Sequence, residues 1–153
     1  MVTVFVFRRV AGRVEFLQLR RAKDPYRGTW QPIMGGIHAE ETGAGAAIRE
    51  VREETGLVAS SGDCLGLWAL DQVHPFFMHT IDAVVLSPGF AAEAAADWRP
   101  VLNAENDAAR WVPAADVREA LVWPGHAAAC AEILDWLLRP GSGCEPLLRV
   151  PRG

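Results

Sequence analysis

The sequence predicts a domain of the α+β class, with helices packed on the faces of a mixed β-sheet. Three observations support this prediction. Two stretches rich in Val, Phe and Leu flank the turn at Ala11–Arg13 and predict a β-hairpin. Segment 42–55 repeats apolar residues at helical spacing. The chain has 153 residues, of which 50% are apolar and 22% are charged, as expected for one globular domain.

The first half of the chain is predicted to form a hairpin, a loop and a helix. Strands are predicted at 2–10 and 14–19, followed by a polar loop at 20–29 and a short extended segment at 30–34. Thr42 is placed to cap the helix N-terminus, and Gly56 is placed to end the helix in a left-handed conformation. We therefore expect a helix with defined ends between these two residues.

The second half is predicted to complete the sheet and its helical cover. Two strands are expected at 65–73 and 77–86, joined around His74–Pro75, and 87–103 is expected to be a loop that holds a helical turn at 91–96. A last strand is predicted at 108–112, a short helix from 113 to about 121 and a longer helix from Pro124 through Leu138. The domain then covers 1–139, and 140–153 is expected to be a mobile tail.

Charge and cysteine usage narrow the function classes. The net charge is −4 and the isoelectric point is near 5.5, which argues against a partner such as a nucleic acid polymer or an anionic membrane surface. The three cysteines form no C-x-x-C pair, so neither a disulfide framework nor a zinc site is indicated. No apolar stretch approaches the roughly 20 residues of a membrane span. We expect a cytoplasmic protein that binds a small molecule.

Three carboxylates lie on one face of the predicted helix. Glu50, Glu53 and Glu54 occupy positions i, i+3 and i+4, which are neighbours on a helix surface. One interpretation is a solvated acidic face with Arg49 and Arg52 as partners. The other is a site for a hard cation, because Mg²⁺ binds carboxylate oxygens and keeps positions for water and substrate phosphate.

The residues around these glutamates favour the cation site. Gly35, five residues, Glu41, seven residues and then R-E-V-R-E-E-T-G-L at 49–57 resemble the complete signature of the Nudix hydrolase family. The resemblance implies an α/β/α sandwich and an enzyme that hydrolyses a diphosphate linkage with water. It also implies Mg²⁺ as the cofactor, with Mn²⁺ as an alternative.

The resemblance assigns roles within this signature. Glu50 and Glu54 match the direct metal ligands, and Glu53 matches a further ligand or an activator of water. Glu41 matches the acid that holds Arg49, and this ion pair ties the loop to the helix. Structural roles fall on three glycines, of which the first two allow close approach of the loop and the third ends the helix: Gly35, Gly36 and Gly56.

The family draws a further acid from outside the signature, as a metal ligand or a base. Glu105 lies six residues before Trp111, a placement similar to the family pattern. Asp107 and Asp82 follow as weaker candidates. The resemblance thus implies a catalytic set of Glu53, Glu54, Arg49 and Glu105.

The segment before the signature indicates the substrate. W-Q-P-I-M-G-G at 30–36 is similar to the W-Q-x-V-T-G-G segment of the dihydroneopterin triphosphate and dATP pyrophosphohydrolase subgroup, with Met34 in place of threonine. The resemblance implies that substrate contacts come from Arg20, Trp30, Gln31, Met34, Gly35, Gly36 and His38.

Other functions stay open on the sequence. A hydrolase of oxidised or noncanonical nucleoside triphosphates would use the same metal site. Dinucleoside polyphosphate and ADP-ribose hydrolases are also alternatives. Tyr26, the chain's one tyrosine, precedes the signature, whereas the tyrosine associated with dinucleoside polyphosphate hydrolases follows it. Pro75 is an approximate counterpart of the proline that marks ADP-ribose hydrolases. A nucleotide-binding sensor without catalysis is a further alternative. A homodimer is compatible with an open sheet edge or with the apolar tail.

Overall fold

The computed structural model describes residues 1–151. One seven-stranded sheet forms the centre of the domain. Its strands are β1 (Val2–Val10), β2 (Arg13–Arg21), β3 (Trp30–Gln31), β4 (Ile33–Gly35), β5 (Cys64–Met78), β6 (Ala83–Ala94) and β7 (Asn106–Pro113). The helices are α1 (Gly43–Thr55), α2 (Val117–Ala120), α3 (Pro124–Glu132) and α4 (Glu145–Leu148).

The sheet is mixed, as predicted. Its main strand order is β3-β2-β1-β6-β5, with β4 paired to β1 and β7 paired to β2. Strands β1 and β6 run parallel, and the other pairs are antiparallel. Strand β5 therefore forms one edge of the sheet.

Strand β1 separates two apolar cores. Val2, Val4 and Val6 point to the side of α1, whereas Phe5 and Phe7 point to the side of α3. A strand buried on both faces has a continuous apolar sequence, which explains the run of Val and Phe at the start of the chain. The two cores make the domain the predicted α/β/α sandwich.

Helix α1 has the predicted ends. The Thr42 hydroxyl accepts a hydrogen bond from the backbone N–H of Gly45 at 3.0 Å. Gly56 has φ of 74° and donates its N–H to the carbonyl of Arg52 at 2.9 Å. The left-handed conformation at the helix end favours glycine. Ala46, Ala47 and Val51 are buried against the sheet, so the opposite edge of the helix is free to present carboxylates.

The prediction of a loop at 87–103 with a helical turn at 91–96 is wrong for its first half. Residues 87–94 belong to β6, which lies inside the sheet between β1 and β5. The Pro88–Gly89 pair suggested a turn, but Pro88 lies opposite Val73, where the register of β5 shifts. Proline is tolerated at such irregularities because no ladder hydrogen bond is lost.

The predicted break at His74–Pro75 is also wrong. Strand β5 continues through both residues to Met78, and the turn lies at 79–82. Pro75 pairs with Leu86 on the edge strand, where its missing N–H faces away from the sheet. One face of this long hairpin exposes apolar side chains: Val73, Phe77, Val84 and Leu86.

The C-terminal helices cover the second face of the sheet. Helix α2 is shorter than predicted. Helix α3 ends at Glu132, and a π-helical turn at Ile133–Leu137 carries the helical segment almost to its predicted end at Leu138. Ile133 and Leu137 are buried in the second core, against the sheet. No helix in residues 1–151 has the length and apolar content that a membrane crossing requires.

The predicted tail packs partly on the domain within its described residues. Helix α4 contacts β5 through Glu145, whose carboxylate accepts from the Trp68 indole at 2.7 Å. The N–H of Val150 donates to the carbonyl of Leu67 at 2.8 Å. The mobility of the tail and the domain boundary at 139 stay predictions, as does the homodimer; residues 152–153 lie outside the described residues.

A carboxylate from α3 replaces strand hydrogen bonds at the irregularity in β5. Between Ala69 and Val73 the pairing of β5 with β6 shifts. The backbone N–H groups of Asp71 and Gln72 donate instead to Glu132, at 2.7 and 3.2 Å. Glu132 therefore fastens α3 to the edge strand.

We predict that Glu132→Ala lowers the free energy of unfolding by about 2 kcal/mol, because two backbone donors lose a charged acceptor. Urea denaturation measures this change. Glu119→Ala on α2 is the matched control, since Glu119 is exposed and makes no hydrogen bond within residues 1–151. Equal stability of the two variants would show that Glu132 contributes nothing to the docking of α3.

Candidate active site

Arg49 joins the loop before α1 to the helix. Its Nε and Nη2 donate to the two carboxylate oxygens of Glu41 at 2.9 and 3.0 Å. Nη2 also donates to the carbonyl of Gly36 at 2.8 Å, and Nη1 donates to Glu50 at 2.7 Å. The ion pair between Glu41 and Arg49 that the sequence predicts is therefore present. It fixes the loop and one glutamate of the helix at the same time.

This pairing shifts the pKa values of both groups. The Arg49 guanidinium and the backbone N–H of His38 donate to Glu41 and lower its pKa to about 2. The hydrogen bonds to Glu41 and Glu50 raise the pKa of Arg49. Glu41 consequently keeps its charge across the physiological pH range, and the loop stays tied to the helix.

Gly35 leaves room for a carboxylate of the helix, whereas Gly36 faces open space. A Cβ at Gly35 would overlap the carboxylate of Glu50, so the missing side chain is the space that Glu50 occupies. A Cβ at Gly36 would meet nothing within 4 Å. The expected close approach therefore holds for Gly35, whereas Gly36 contributes its carbonyl to Arg49.

Glu54 is the buried member of the acidic set. It is 5% exposed, and its carboxylate accepts a hydrogen bond from the Asn106 amide at 2.7 Å. Its pKa is raised to about 7: burial is the largest cause, the charges of Glu50 and Glu105 add to it, and hydrogen bonds from Asn106 and the Met34 backbone oppose it. A carboxylate in this setting gains from a nearby cation, which would offset both burial and repulsion.

A bulge in β7 brings Asn106 to this carboxylate. Arg20 lies opposite Ala108, but Arg21 lies opposite Asn106, so β7 has one extra residue at Asp107. Without the extra residue, Asn106 would share the sheet face of Ala108. The bulge turns it toward α1 and leaves Asp107 to pair with Arg20 at 2.7 Å.

The remaining acidic candidates fall into two groups. Glu53 is half exposed and lies 3.4 Å from Arg49, and Glu105 acts electrostatically on Glu54, so both lie at the site. Asp107 is engaged with Arg20. Asp82 lies in the turn of the β5–β6 hairpin, and no hydrogen bond or ion pair within residues 1–151 joins it to α1.

The donor set suits a hard cation by its chemistry. Glu50, Glu54 and Glu105 offer carboxylate oxygens, which Mg²⁺ prefers. Within residues 1–151 no three side chains of His, Cys, Asp or Glu are gathered as a ready-made cage. Arg49 holds the carboxylate of Glu50 and Asn106 holds that of Glu54. A cation would therefore have to compete with these partners for the oxygens.

Two predicted substrate residues lie on the opposite face of the sheet from α1. Trp30 pairs with Arg20 across β3 and β2, and its ring is covered by the guanidinium of Arg110 at 4.2 Å. Arg110 in turn donates twice to the buried amide of Gln18, at 2.7 and 2.9 Å. Arg20 is partly exposed and bonded to Asp107. These residues form a second cluster, separate from the glutamates.

Of the other predicted substrate residues, Gln31 and His38 lie on the side of α1, whereas the side chain of Met34 shares the opposite face with its partner Thr3. Gln31 is buried and lies opposite Leu19. Met34 pairs with Thr3 and contributes a backbone hydrogen bond to Glu54. His38 is exposed, and its ring lies 4.0 Å from the Glu41 carboxylate.

Sequence reasoning did not find Asn106, Gln18 or Arg110 as members of these clusters. Asn106 follows a predicted loop, and nothing in its sequence context indicates that it reaches a helix 52 residues earlier in the chain. Gln18 and Arg110 are opposite each other on β2 and β7. A polar residue inside an apolar strand is the signal that could have identified Gln18.

Comparisons with known proteins place this geometry in a family. The family model described as the NUDIX domain matches residues 1–136. A NUDIX hydrolase from Listeria monocytogenes has a TM-score of 0.72 and 26% identity, covering 88% of this chain and 90% of that one. The E. coli dihydroneopterin triphosphate pyrophosphohydrolase has a TM-score of 0.71 and 20% identity, covering 86% of this chain and 92% of that one.

Two further relatives carry other names. A C. elegans Ap4A hydrolase in a binary complex has a TM-score of 0.71 and 20% identity, covering 88% of this chain and 93% of that one. An octanoyltransferase from Myxococcus xanthus is 35% identical over 109 residues, which are 70% of this chain and 29% of that protein. The match thus spans less than a third of the octanoyltransferase.

We predict that Arg49→Ala weakens the protein most above pH 4.5. A carboxylate with a lowered pKa stabilises the folded state above its unfolded value, near 4.5, and this contribution is lost as the pH falls toward the folded value of about 2. The variant should lose this pH-dependent stability, and the pKa of Glu41 should rise toward 4.5. Thermal unfolding between pH 2 and 7 and carboxyl titration by NMR measure both effects.

Arg52→Ala is the matched control, because Arg52 is exposed on the same helix and forms no ion pair within residues 1–151. If both variants kept the acid-dependent loss of stability, Arg49 would not be what holds Glu41 ionised.

Proposed function

The chain belongs to the NUDIX family, and on this premise we propose that it is a hydrolase that uses Mg²⁺ to cleave a diphosphate linkage in a nucleoside-triphosphate-like compound. The observation that supports the proposal best is the buried position of the Glu54 carboxylate. This carboxylate is buried beside Glu50 and under the influence of Glu105, an arrangement that is unfavourable without a cation. Members of the family act on small phosphorylated substrates.

In the proposed site, Glu50 and Glu54 are the direct metal ligands. Glu53 and Glu105 are further ligands or activate water, and Mn²⁺ is an alternative cation. A divalent ion supplies charge neutralisation for phosphate oxygens and makes water more acidic. Mn²⁺ and Mg²⁺ share a preference for carboxylate oxygens.

The protein's own groups orient this chemistry. Arg49 holds Glu50 in place from one side, and Gly35 leaves the room in which that carboxylate lies. Asn106 fixes the orientation of Glu54. The proposed base, Glu53 or Glu105, then takes a proton from the attacking water as the bridging P–O bond breaks. Positioning of these groups in advance lowers the cost of reaching the transition state.

We propose dATP or dihydroneopterin triphosphate as the substrate, cleaved to the monophosphate and pyrophosphate. Support comes from the W-Q segment at 30–36 and from the fold shared with the dihydroneopterin triphosphate enzyme. Gln31 and His38 are the proposed substrate contacts on the side of α1. Arg20, Trp30 and Met34 lie on the other face of the sheet, so their proposed contacts require a substrate that extends past the glutamates. Arg20 would there exchange its exposed pairing with Asp107 for a phosphate, which a guanidinium binds through two donors.

The net charge, the cysteines and the extent of the octanoyltransferase match all bear on the proposed function. The net charge of −4 supports a small ligand over a nucleic acid polymer. The three cysteines, which form no C-x-x-C pair, support a cytoplasmic location. Octanoyl transfer is not part of the proposal, because the match to the octanoyltransferase covers 29% of that protein.

We predict that pyrophosphate is released from dATP or dihydroneopterin triphosphate in the presence of Mg²⁺. Product analysis across a panel with 8-oxo-dGTP, diadenosine tetraphosphate and ADP-ribose measures the preference. Turnover of dinucleotides or ADP-ribose alone would keep the acidic helix as the reaction centre and contradict the proposed substrate. Binding without turnover of any compound would favour the sensor alternative.

We predict that Glu54→Gln lowers turnover by several orders of magnitude and leaves the fold intact. The amide has nearly the shape of the carboxylate but lacks the charge that binds the metal. Steady-state kinetics measure the loss, and circular dichroism checks the fold. Glu119→Gln makes the same chemical change on exposed α2 and should keep full activity. Near-normal turnover of Glu54→Gln would show that the metal site is assigned wrongly.

A further inference from the structure

A small cavity lies between the sheet and the start of α3, away from the acidic helix. Its walls include Thr3 from β1, Ser87 from β6, His74 from β5, and Gly125 and His126 from α3. The room for the centre of a water-sized molecule is about 10 Å³. A single water needs a space of about this size together with several polar partners.

One wall of the cavity carries a polar atom without a partner. His126 is 5% exposed, and its Nδ1 is buried and forms no hydrogen bond within residues 1–151. Leaving such an atom unsatisfied is unfavourable. Burial, and to a smaller extent the charge of His74, lowers the pKa of His126 to about 4. The ring is therefore neutral at pH 7, with one nitrogen free to accept a hydrogen bond.

The lining of the cavity also includes a pair of hydroxyl groups with one hydrogen that their mutual bond does not use. The oxygens of Thr3 and Ser87 are 2.9 Å apart and buried. Two hydroxyl groups bring two hydrogens, and their mutual bond uses one. The second hydrogen needs an acceptor, just as the ring nitrogen of His126 needs a donor. A water molecule satisfies both needs, because it accepts and donates at once.

The walls are packed closely enough to exclude a larger ligand. A Cβ at Gly125 would overlap the His74 ring, so the imidazole lies directly against the first turn of α3. The ring of Phe5 lies edge-on to His126 with centroids 5.7 Å apart. The remaining space, about 10 Å³ for the centre of a water-sized molecule, matches one water.

We propose that one ordered water molecule occupies this cavity, accepts a hydrogen bond from the Thr3–Ser87 hydroxyl pair and donates one to Nδ1 of His126. The water links β1 and β6 to α3 across the second core. It serves the same docking that Glu132 provides at the other end of the helix. The proposal concerns the fold and is independent of the proposed reaction.

A high-resolution crystal structure of the full chain tests the site directly. The proposal requires density for one water within hydrogen-bond distance of Nδ1 of His126 and of one of the two hydroxyl oxygens. In solution, NMR should detect nuclear Overhauser effects between the protons of this water and the side chains of the cavity. The sign of these effects should be opposite to that of the effects from surface water. A dry cavity, or a His126 ring whose Nδ1 bonds directly to a protein group, would overturn the proposal.

A double-mutant cycle tests the link between the two walls. His126→Phe and Thr3→Val each remove a proposed partner of the water at nearly constant volume. Because both changes act on the same water, their effects on the urea midpoint should be clearly non-additive. His126→Phe with Thr55→Val is the control cycle, since the buried Thr55 hydroxyl bonds to Val51 in α1. Additivity in both cycles would overturn the link, and a variant that fails to fold leaves the crystallographic test decisive.

Discussion

The guanidinium of Arg49 organises the acidic helix. One side chain binds the loop through Glu41 and the Gly36 carbonyl, and it binds the helix through Glu50. If this group were absent, the loop would lose its tie to α1 and the glutamates would repel one another without compensation. Gly35 depends on the same arrangement, because its missing side chain is the space for the carboxylate that Arg49 holds.

The second constraint comes from the sheet. The bulge at Asp107 turns Asn106 toward α1, where its amide binds the buried Glu54. The position of Glu54 is thus set by its place on α1 and by the hydrogen bond from Asn106 on the sheet. Burial and the neighbouring carboxylates raise its pKa, and its hydrogen bonds oppose the rise. Strongly perturbed pKa values of this kind cluster at functional sites.

Much of the fold followed from local patterns in the sequence. The capping residues Thr42 and Gly56 bounded α1 correctly, because helix ends depend on hydrogen bonds within a few residues. Strand β6 was missed, because its Pro88–Gly89 pair is tolerated only through the register shift in β5. Pro75 misled in the same way, since an edge position cannot be recognised from a single sequence.

The same distinction between local patterns and long-range packing applies to the site. Spacing along one helix was enough to group Glu50, Glu53 and Glu54, and the ion pair of Arg49 with Glu41 followed from the resemblance. Asn106 and the separation of Trp30 from the glutamates depend on a bulge and on strand pairing. Such long-range features arise from the packing of the whole sheet, so no local sequence pattern indicates them.

The most direct test of the account is a titration of the protein with Mn²⁺ followed by electron paramagnetic resonance, which needs no knowledge of the substrate. The wild-type chain should bind the ion and release it on addition of Mg²⁺. Glu50→Gln combined with Glu54→Gln should abolish this binding, whereas Glu119→Gln should retain it. Equal binding by the wild-type chain and the double variant would contradict the central claim that the glutamates of α1 form the metal site.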